Sequence, residues 1–202
     1  MHEETAAMFD HVRTALPESG GAHGFDHTLR VVRLCERIGA REGADMAILT
    51  PPAALFHDIA RPFEEETGVP HEEEGARMAE SYLRSVRYPE ERIPGIVHAI
   101  RAHRYSSGIA PPETLEARVL SDADNLDAMG AVGIARTFMQ SGGEQGRDIS
   151  DATGHFHDKL LNLRDRMYTE IAQSIAEERH AFLLAFLDAL DDEIGARISS
   201  DS

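Results

Sequence analysis

Apolar residues recur every three or four positions along most of this chain, which is the spacing of an amphipathic helix. The clearest case is 26–42, where Val31, Leu34 and Ile38 fall on one face and Gly43 follows as a stop signal. No stretch of useful length alternates apolar and polar residues in the manner of a half-buried strand. The pattern therefore predicts an all-α protein.

The same periodicity, interrupted by proline and glycine, sets the expected bounds of the other elements. Further helices are predicted at 3–16, 45–60, 71–86, 89–103, 113–128, in a short segment ending near 140, and at 155–195 as one long element with a bend. Loops are predicted at 61–70, 104–112 and 141–153. Pro51 and Pro52 predict a break in the helix at 45–60, and Pro94 predicts a later start for the helix at 89–103.

The composition adds a strongly acidic surface to this picture. The 202 residues carry a formal net charge of −16 and show neither an internal repeat nor a dividing linker, so we expect residues 1–202 to form one compact domain. Such a charge disfavours non-specific binding to nucleic acid or an anionic membrane. A small anionic substrate remains compatible with it, because a metal ion and a few basic side chains can reverse the potential inside one cleft. The glutamate runs 64–66 and 72–74 are interpreted as solvated faces.

A single cysteine, Cys35, excludes a disulfide within the chain. It lies on the apolar side of the helix predicted at 26–42 and is interpreted as a core residue. No apolar run reaches the roughly 20 residues of a membrane span. The N-terminus carries acids where a signal peptide carries bases. These features predict a cytoplasmic protein.

Histidines and aspartates within apolar helical runs are the candidate chemistry. His57 and Asp58 are adjacent and follow the apolar pair Leu55-Phe56, and His27 heads the apolar stripe of the helix at 26–42. Imidazole and carboxylate are good ligands for Mn, Fe, Co, Ni or Zn. A buried aspartate is costly unless it is paired or binds a metal. These positions therefore predict a metal site.

A further group of acids, Asp122, Asp124 and Asp127, lies inside the apolar helix predicted at 113–128. Asp124 and Asp127 share one face at helical spacing, whereas Asp122 is two residues away from Asp124 and points elsewhere. The residues by themselves leave Asp122 and Asp124 as alternative ligands.

The order His27, then His57-Asp58, then Asp124 resembles the H…HD…D signature of the HD-domain phosphohydrolase superfamily. The likeness is to a branch of small, stand-alone bacterial and archaeal HD hydrolases and covers about 20–190. It includes the segments 23–31, 70–76, 98–103, 122–128, 130–138 and 177–182. Ala60 and Asn125 stand where many relatives have Gly and Arg, and neither departure removes a ligand.

The resemblance implies a helical bundle with the metal site in its core. The implied ligands of one divalent ion, with manganese favoured, are His27, His57, Asp58 and Asp124. Asp58 and Asp122 are the implied catalytic carboxylates, and one of Glu72 to Glu74 is the alternative proton acceptor.

Basic and imidazole side chains are predicted to bind the substrate. Arg61 and Lys159 are the first choices for its phosphate groups, and His71 and His103 are expected to hydrogen-bond it. The alternative for these two histidines is a second metal, because comparable histidines bind one in some HD subfamilies. Further basic candidates are Arg30, Arg101 and Arg164. The remaining histidines His2, His11, His155, His157 and His180 are interpreted as surface or packing residues.

The resemblance implies a hydrolase that acts on nucleotides and cuts a nucleoside triphosphate to monophosphate and pyrophosphate. A nucleotide monophosphatase and a phosphodiesterase are the alternatives within enzymes. The rival from another class is a non-catalytic helical module that senses a nucleotide or a metal. Replacement of a metal-ligand residue by another residue type would favour that rival, and all four implied ligands are present in the sequence. No pattern in the sequence sets the oligomeric state.

Overall fold

The computed structural model describes residues 2–16, 24–104, 108–142 and 149–195. These residues form helices and turns and contain no strand, which confirms the all-α prediction. The α-helices are α1 (His2–Ala15), α2 (Phe25–Glu42), α3 (Met46–Ile48), α4 (Ala54–Phe56), α5 (Arg61–Thr67), α6 (His71–Ser85), α7 (Ile93–Ala102), α8 (Leu115–Asp127), α9 (Gly130–Gly142), α10 (Ile149–Asp158) and α11 (Glu170–Glu193). A π-helical turn (Leu49–Ala53) joins α3 to α4, and a 3₁₀ helix (Leu160–Arg166) follows α10.

The core lies where α2 packs on α8, α6 packs on α7, and α7 packs on α8. Val31 of α2, Ile100 of α7 and Leu120 of α8 are fully buried there. The short helix α4 is enclosed by these elements, with Leu55 and Phe56 also fully buried. Burial of each such side chain stabilises the fold by about 1.5–3 kcal/mol. The residues that follow α4 are therefore held in the interior.

The C-terminal helices meet around an aromatic cluster. Phe138 of α9, Phe156 of α10 and Phe186 of α11 have ring centroids 5.9 to 6.1 Å apart. The helix α11 also packs on α2 and α8. This arrangement holds α9, α10 and the 3₁₀ helix beside α8.

Several predicted boundaries are confirmed by their capping geometry. The helix α2 ends at Gly43, whose left-handed backbone (φ 79°) lets its N–H bond the Gly39 carbonyl. The helix α8 begins after Thr114, whose hydroxyl accepts a hydrogen bond from the Ala117 N–H. The break expected at the paired prolines lies at Thr50, which is extended (φ −131°, ψ 129°).

The loop predicted at 61–70 is wrong, because α5 occupies most of it. Pro62 lies in the first turn of α5, where a backbone N–H has no helical partner. Gly68, with φ 75°, ends the helix. The proline and glycine that suggested a loop are in fact the start and stop signals of a helix.

The predictions for the C-terminal third are wrong in two places. The loop predicted through Thr153 is helical from Ile149 onwards, and residues 143–148 lie outside the described part of the chain. The single long element predicted at 155–195 is interrupted, since Met167 and Thr169 have extended backbones.

Other predictions have mixed outcomes. The segment 17–23, which includes the predicted end of the first helix and the motif residue His23, lies outside the described residues, as does 105–107 of a predicted loop. Cys35 is fully buried, which confirms its core position, and burial raises the pKa of its thiol. Within the described residues, no helix combines the length and apolar character needed to cross a membrane. The single domain over 1–202 stays a prediction.

Candidate metal centre

Four imidazoles among the described residues converge on one carboxylate in the core. His27 lies in the first turn of α2, His57 follows α4, His71 begins α6 and His103 follows α7. Each of them is at most 1% exposed, as is Asp58 at the centre. Helix ends from four parts of the chain therefore bring together residues that are up to 76 positions apart (103 − 27 = 76).

Two of these rings are oriented by backbone carbonyls. His57 Nδ1 donates to the Ala54 carbonyl at 2.9 Å, and His103 Nδ1 donates to the Ile100 carbonyl at 2.6 Å. A carbonyl oxygen can only accept, so it fixes the ring proton on Nδ1. In the neutral form of each ring, Nε2 then carries a lone pair directed at the centre.

The other two rings are oriented by carboxylates. His27 Nδ1 lies 2.7 Å from Asp127 Oδ2, and His71 Nδ1 lies 2.7 Å from Glu64 Oε2. An ionised carboxylate also only accepts, so these contacts place a proton on Nδ1 in the same way. Supporting acceptors of this kind are typical of histidines that bind a metal through Nε2.

We call one half of this cluster the first site, which consists of His27, His57, Asp124 and the Oδ2 atom of Asp58. Asp58 Oδ2 lies 3.5 Å from His27 Nε2 and 3.7 Å from His57 Nε2. The two Nε2 atoms are 3.3 Å apart, and Asp124 Oδ1 is 3.3 Å from His27 Nε2. Two lone pairs facing each other repel unless a proton or a cation lies between them. This donor set therefore fits a divalent transition metal.

The second site consists of His71, His103 and the Oδ1 atom of Asp58. Asp58 Oδ1 lies 3.2 Å from His71 Nε2 and 3.5 Å from His103 Nε2, and these two nitrogens are 3.3 Å apart. Arg61 Nε donates to the same oxygen at 3.0 Å. His98, in contrast, accepts from the Glu113 N–H and lies outside this cluster.

The electrostatics of the first site also favour a cation. Burial lowers the pKa of His57 to about 4, although Asp58 opposes this, so the ring is neutral. Burial also lowers the pKa of His27, but hydrogen bonds to Asp124, Asp127 and Asp58 outweigh it and raise the pKa to about 10. Without a metal, the carboxylates thus retain a proton on His27. A metal ion bound through Nε2 replaces that positive charge.

Glu64 and Glu72 show that the solvated-face interpretation of the two glutamate runs is wrong at these positions. Glu72 is fully buried, with Oε2 3.2 Å from His71 Nδ1, and Glu64 is only 25% exposed. Arg104 Nη1 lies 3.1 Å from Glu64 Oε1. Glu65 and Glu66 are exposed as expected.

The structure does not bring Asp122 to the cluster. Its carboxylate accepts hydrogen bonds from the Tyr168 N–H (2.8 Å), the Thr169 N–H (2.9 Å) and the Thr169 hydroxyl (2.7 Å). Burial raises its pKa to about 6 although these bonds lower it. Both oxygens are committed to the start of α11. The catalytic role of Asp122 stays a prediction that this geometry does not favour, and Asp124 is the acid that reaches His27.

Asp127 is a site residue for which the sequence predicted no role. It is 1% exposed and accepts from His27, Arg30 and Arg136. The available signal was its position three residues after Asp124 on one helix face.

A cleft of about 170 Å³ opens beside Asp124. Its basic lining residues, among those described, are Arg61, Arg104, Arg136, Lys159 and Arg166. Leu160 and Leu163 add an apolar wall, and His155 also lines the cleft. Arg61 and Lys159, the first choices for phosphate contacts, both line this cleft, and their binding role stays a prediction. The remaining candidates do not line the cleft, and each contacts an acid: Arg30 contacts Asp26 and Asp127, Arg101 contacts Glu73, and Arg164 contacts Asp165.

Lys159 shows that positive charges crowd this cleft. Burial lowers its pKa, and Arg61, Arg104 and Arg136 lower it further, while Asp124 raises it. Within the described residues, the side-chain ammonium of Lys159 has neither a hydrogen bond nor an ion pair. An anion that entered the cleft would relieve this repulsion.

The HD-domain family model matches residues 24–129, and the chain therefore belongs to the HD domain family. It is 36% identical to the Bacillus subtilis protein YpgQ over 192 residues, which cover 91% of this chain and 90% of YpgQ. The crystal structure of YpgQ in complex with ADP matches with a TM-score of 0.75 and 32% identity over 95% of each chain.

A predicted HD superfamily hydrolase from an uncultured Thermotogales bacterium matches with a TM-score of 0.73 and 32% identity, over 93% of this chain and 91% of that one. The resemblance seen in the sequence is thereby confirmed. The chain is an HD-superfamily hydrolase, and HD domains bind divalent metals.

Proposed function

We propose that this chain is a metal-dependent phosphohydrolase that cuts a nucleoside triphosphate to the monophosphate and pyrophosphate. The observation that carries this proposal is the position of Asp124, which belongs to the first site and also lines the basic cleft. A phosphate bound in the cleft therefore lies beside the metal ligands.

The residues that would hold one divalent ion, manganese by preference, are His27, His57, Asp58 and Asp124. Such an ion, when bound, polarises a phosphoryl oxygen and lowers the pKa of a water molecule. His71 and His103 would hold a second ion with Asp58 Oδ1, in competition with Arg61. We favour this role over hydrogen bonding to phosphate, because the Nε2 atoms of both rings face Asp58 Oδ1 and each other, and neither ring lines the cleft.

The cleft supplies the contacts for the rest of the substrate. Lys159, Arg104 and Arg166 line the cleft and would hold the β- and γ-phosphates, while Leu160 and Leu163 would offer apolar contact to a base. The complex of YpgQ with ADP supports a nucleotide as the ligand. In the proposed reaction the water oxygen bonds to the α-phosphorus and the bond to the bridging oxygen breaks. Basic side chains stabilise the pyrophosphate that leaves.

Hydrolysis in water enriched in ¹⁸O tests which phosphorus is attacked. A triphosphate digest with manganese, separated by anion-exchange chromatography, should give monophosphate and pyrophosphate in equal amounts, with the label in the monophosphate. Label in pyrophosphate would place the attack at the β-phosphorus. Stepwise release of diphosphate and free phosphate would contradict the proposal, as would release of nucleoside from a monophosphate.

The same assay separates the enzyme from the non-catalytic rival. An Asp124→Ala protein should show no hydrolysis, which controls for contaminating phosphatases. A wild-type protein that binds manganese and ADP but hydrolyses none of the nucleotides tested would be a sensor rather than an enzyme.

A further inference from the structure

Asp127 lies directly behind His27, on the side of the ring away from the first site. Its Oδ2 atom is 2.7 Å from His27 Nδ1 and 2.5 Å from Arg136 Nη1. Arg30 contacts both carboxylate oxygens, with Nε 2.7 Å from Oδ1 and Nη2 3.1 Å from Oδ2. A buried aspartate thus accepts from one imidazole and two guanidinium groups.

The two arginines hold this carboxylate in one orientation. Arg30 is on α2 and Arg136 is on α9, so they approach Asp127 from separate helices. Arg30 is in turn held by Asp26, one turn earlier in α2, at 2.6 Å. Because the carboxylate cannot rotate freely, Oδ2 stays within hydrogen-bonding distance of the His27 ring.

The two partners of Oδ2 act on His27 in opposite directions. A carboxylate that accepts the Nδ1 proton increases the electron density at Nε2 and makes the ring a better ligand. Arg136 donates a hydrogen bond to the same oxygen and places a positive charge 3.3 Å from His27 Nδ1. A cation at this distance disfavours a metal ion on the same ring.

We propose that Asp127 is a positioning residue that strengthens His27 as a metal ligand, and that Arg136 opposes it. This inference rests on the proposed first site. A purely structural role, in which the ion pairs only join α2, α8 and α9, makes a different prediction. Both substitutions would then lower stability, and neither would change the metal affinity of the folded protein.

Metal titration of full-length variants distinguishes these roles. We compare wild type, Asp127→Asn, Arg136→Gln and Asp10→Asn by calorimetry with Mn²⁺, and record the melting curve of each metal-free protein. Asp127→Asn should raise the Kd for Mn²⁺ by roughly 10–100-fold, and Arg136→Gln should lower it several-fold. Asp10→Asn is the matched control, because it removes an exposed acid that pairs with Arg13 in α1, outside the first site, and its Kd should be unchanged.

Each outcome bears on one part of the inference. An Asp127→Asn protein that folds and binds Mn²⁺ as wild type does would overturn the positioning role. An Arg136→Gln protein with weakened binding would overturn the opposing role. Wild-type protein that binds no ion would instead refute the first site, and no variant is needed to see it.

A measurement on wild type keeps the inference testable if Asp127→Asn does not fold. Nitrogen NMR of the zinc-loaded protein, labelled with ¹⁵N at histidine, reports which ring nitrogen carries the proton. His27 should be protonated on Nδ1 and bound to zinc through Nε2. A proton on Nε2 of His27 would overturn the inference.

Discussion

The two oxygens of Asp58 face different surroundings although they belong to one carboxylate. Each oxygen meets two imidazoles whose Nε2 atoms are 3.3 Å apart. The first site adds a second anion, Asp124, whereas the second site adds the guanidinium of Arg61. Both sites have two imidazoles. They differ in the charged side chain that joins them, which is the anion Asp124 in the first site and the cation Arg61 in the second.

This difference predicts unequal metal affinity. Two carboxylates in the first site attract a cation strongly in a buried environment, where charges are poorly screened. In the second site Arg61 already compensates the charge of Asp58, so an ion must displace or tolerate a guanidinium. On ligand geometry alone, the two sites would have equal metal affinity. The charge of Asp124 in the first site and of Arg61 in the second makes the first site the stronger one.

The largest expected effect is the loss of an anion from the first site. Asp124→Asn should lose stoichiometric metal, and hydrolysis should fall by more than about 100-fold, since even supporting residues of a metal ligand contribute 10–100-fold. Elemental analysis and a hydrolysis assay measure both. Asp122→Asn, in the same helix, should keep its metal but lose about 1–3 kcal/mol of stability, because its new N–H₂ faces the N–H donors of α11. If Asp124→Asn kept its metal and Asp122→Asn lost it, Asp122 rather than Asp124 would be the metal ligand.

Metal removal should have the next largest effect, and it should depend on the first site. Binding to the native state adds about 2.7 kcal/mol at 100 times the Kd. In a domain of this size that corresponds to a shift in Tm of several degrees. Calorimetric melting before and after chelation should show this shift in wild type and in His71→Ala, but not in His57→Ala. A wild-type melting curve unchanged by verified metal removal would argue against a metal site.

Substrate binding should depend on Lys159, a cation of the cleft whose ammonium has no hydrogen bond or ion pair among the described residues. Lys159→Ala should raise KM for the triphosphate about tenfold or more, because a hydrogen bond to a charged group contributes roughly 1.5–3 kcal/mol. Steady-state kinetics measure kcat and KM. Arg164→Ala is the matched control, since Arg164 contacts Asp165 away from the cleft. Equal KM values for the two variants would remove Lys159 from the substrate site.

The smallest effect is expected for substitutions of Arg61, which test the metal affinity of the second site. Arg61→Gln removes the guanidinium from Asp58 Oδ1, so a second equivalent of Mn²⁺ should bind several-fold more tightly. Arg61→Lys keeps the charge and should behave more like wild type. Calorimetric stoichiometry reports the result. A binding isotherm with one ion in all three proteins would mean that charge does not separate the two sites.

The helical core and the first site could be predicted because their signals are local. The apolar stripe of α2 and the adjacent pair His57-Asp58 are visible within short windows, and buried acids in α8 indicate an interior partner. The local pattern left Asp122 and Asp124 as alternatives, because both are acids of one apolar helix, and only the family resemblance favoured Asp124. Their difference depends on which neighbouring element each one faces.

The cleft could not be predicted because its residues come from unrelated positions. Arg104 follows α7, Arg136 lies in α9 and Arg166 lies in the 3₁₀ helix, and no spacing rule connects them. Glu64 was missed for a different reason. It belongs to α5, which was interpreted as a loop, so its approach to His71 had no basis in the predicted elements.

The hydrogen bonds of Asp122 to Tyr168 and Thr169 have an evolutionary consequence. They tie the chain back to α8 at positions 46 and 47 residues after Asp122. Lys159 and the apolar wall of the cleft lie in the segment between the end of α8 and Tyr168. Substitutions within this segment therefore have little effect on the positions of the metal ligands. Substrate preference can change during evolution while the metal ligands stay the same.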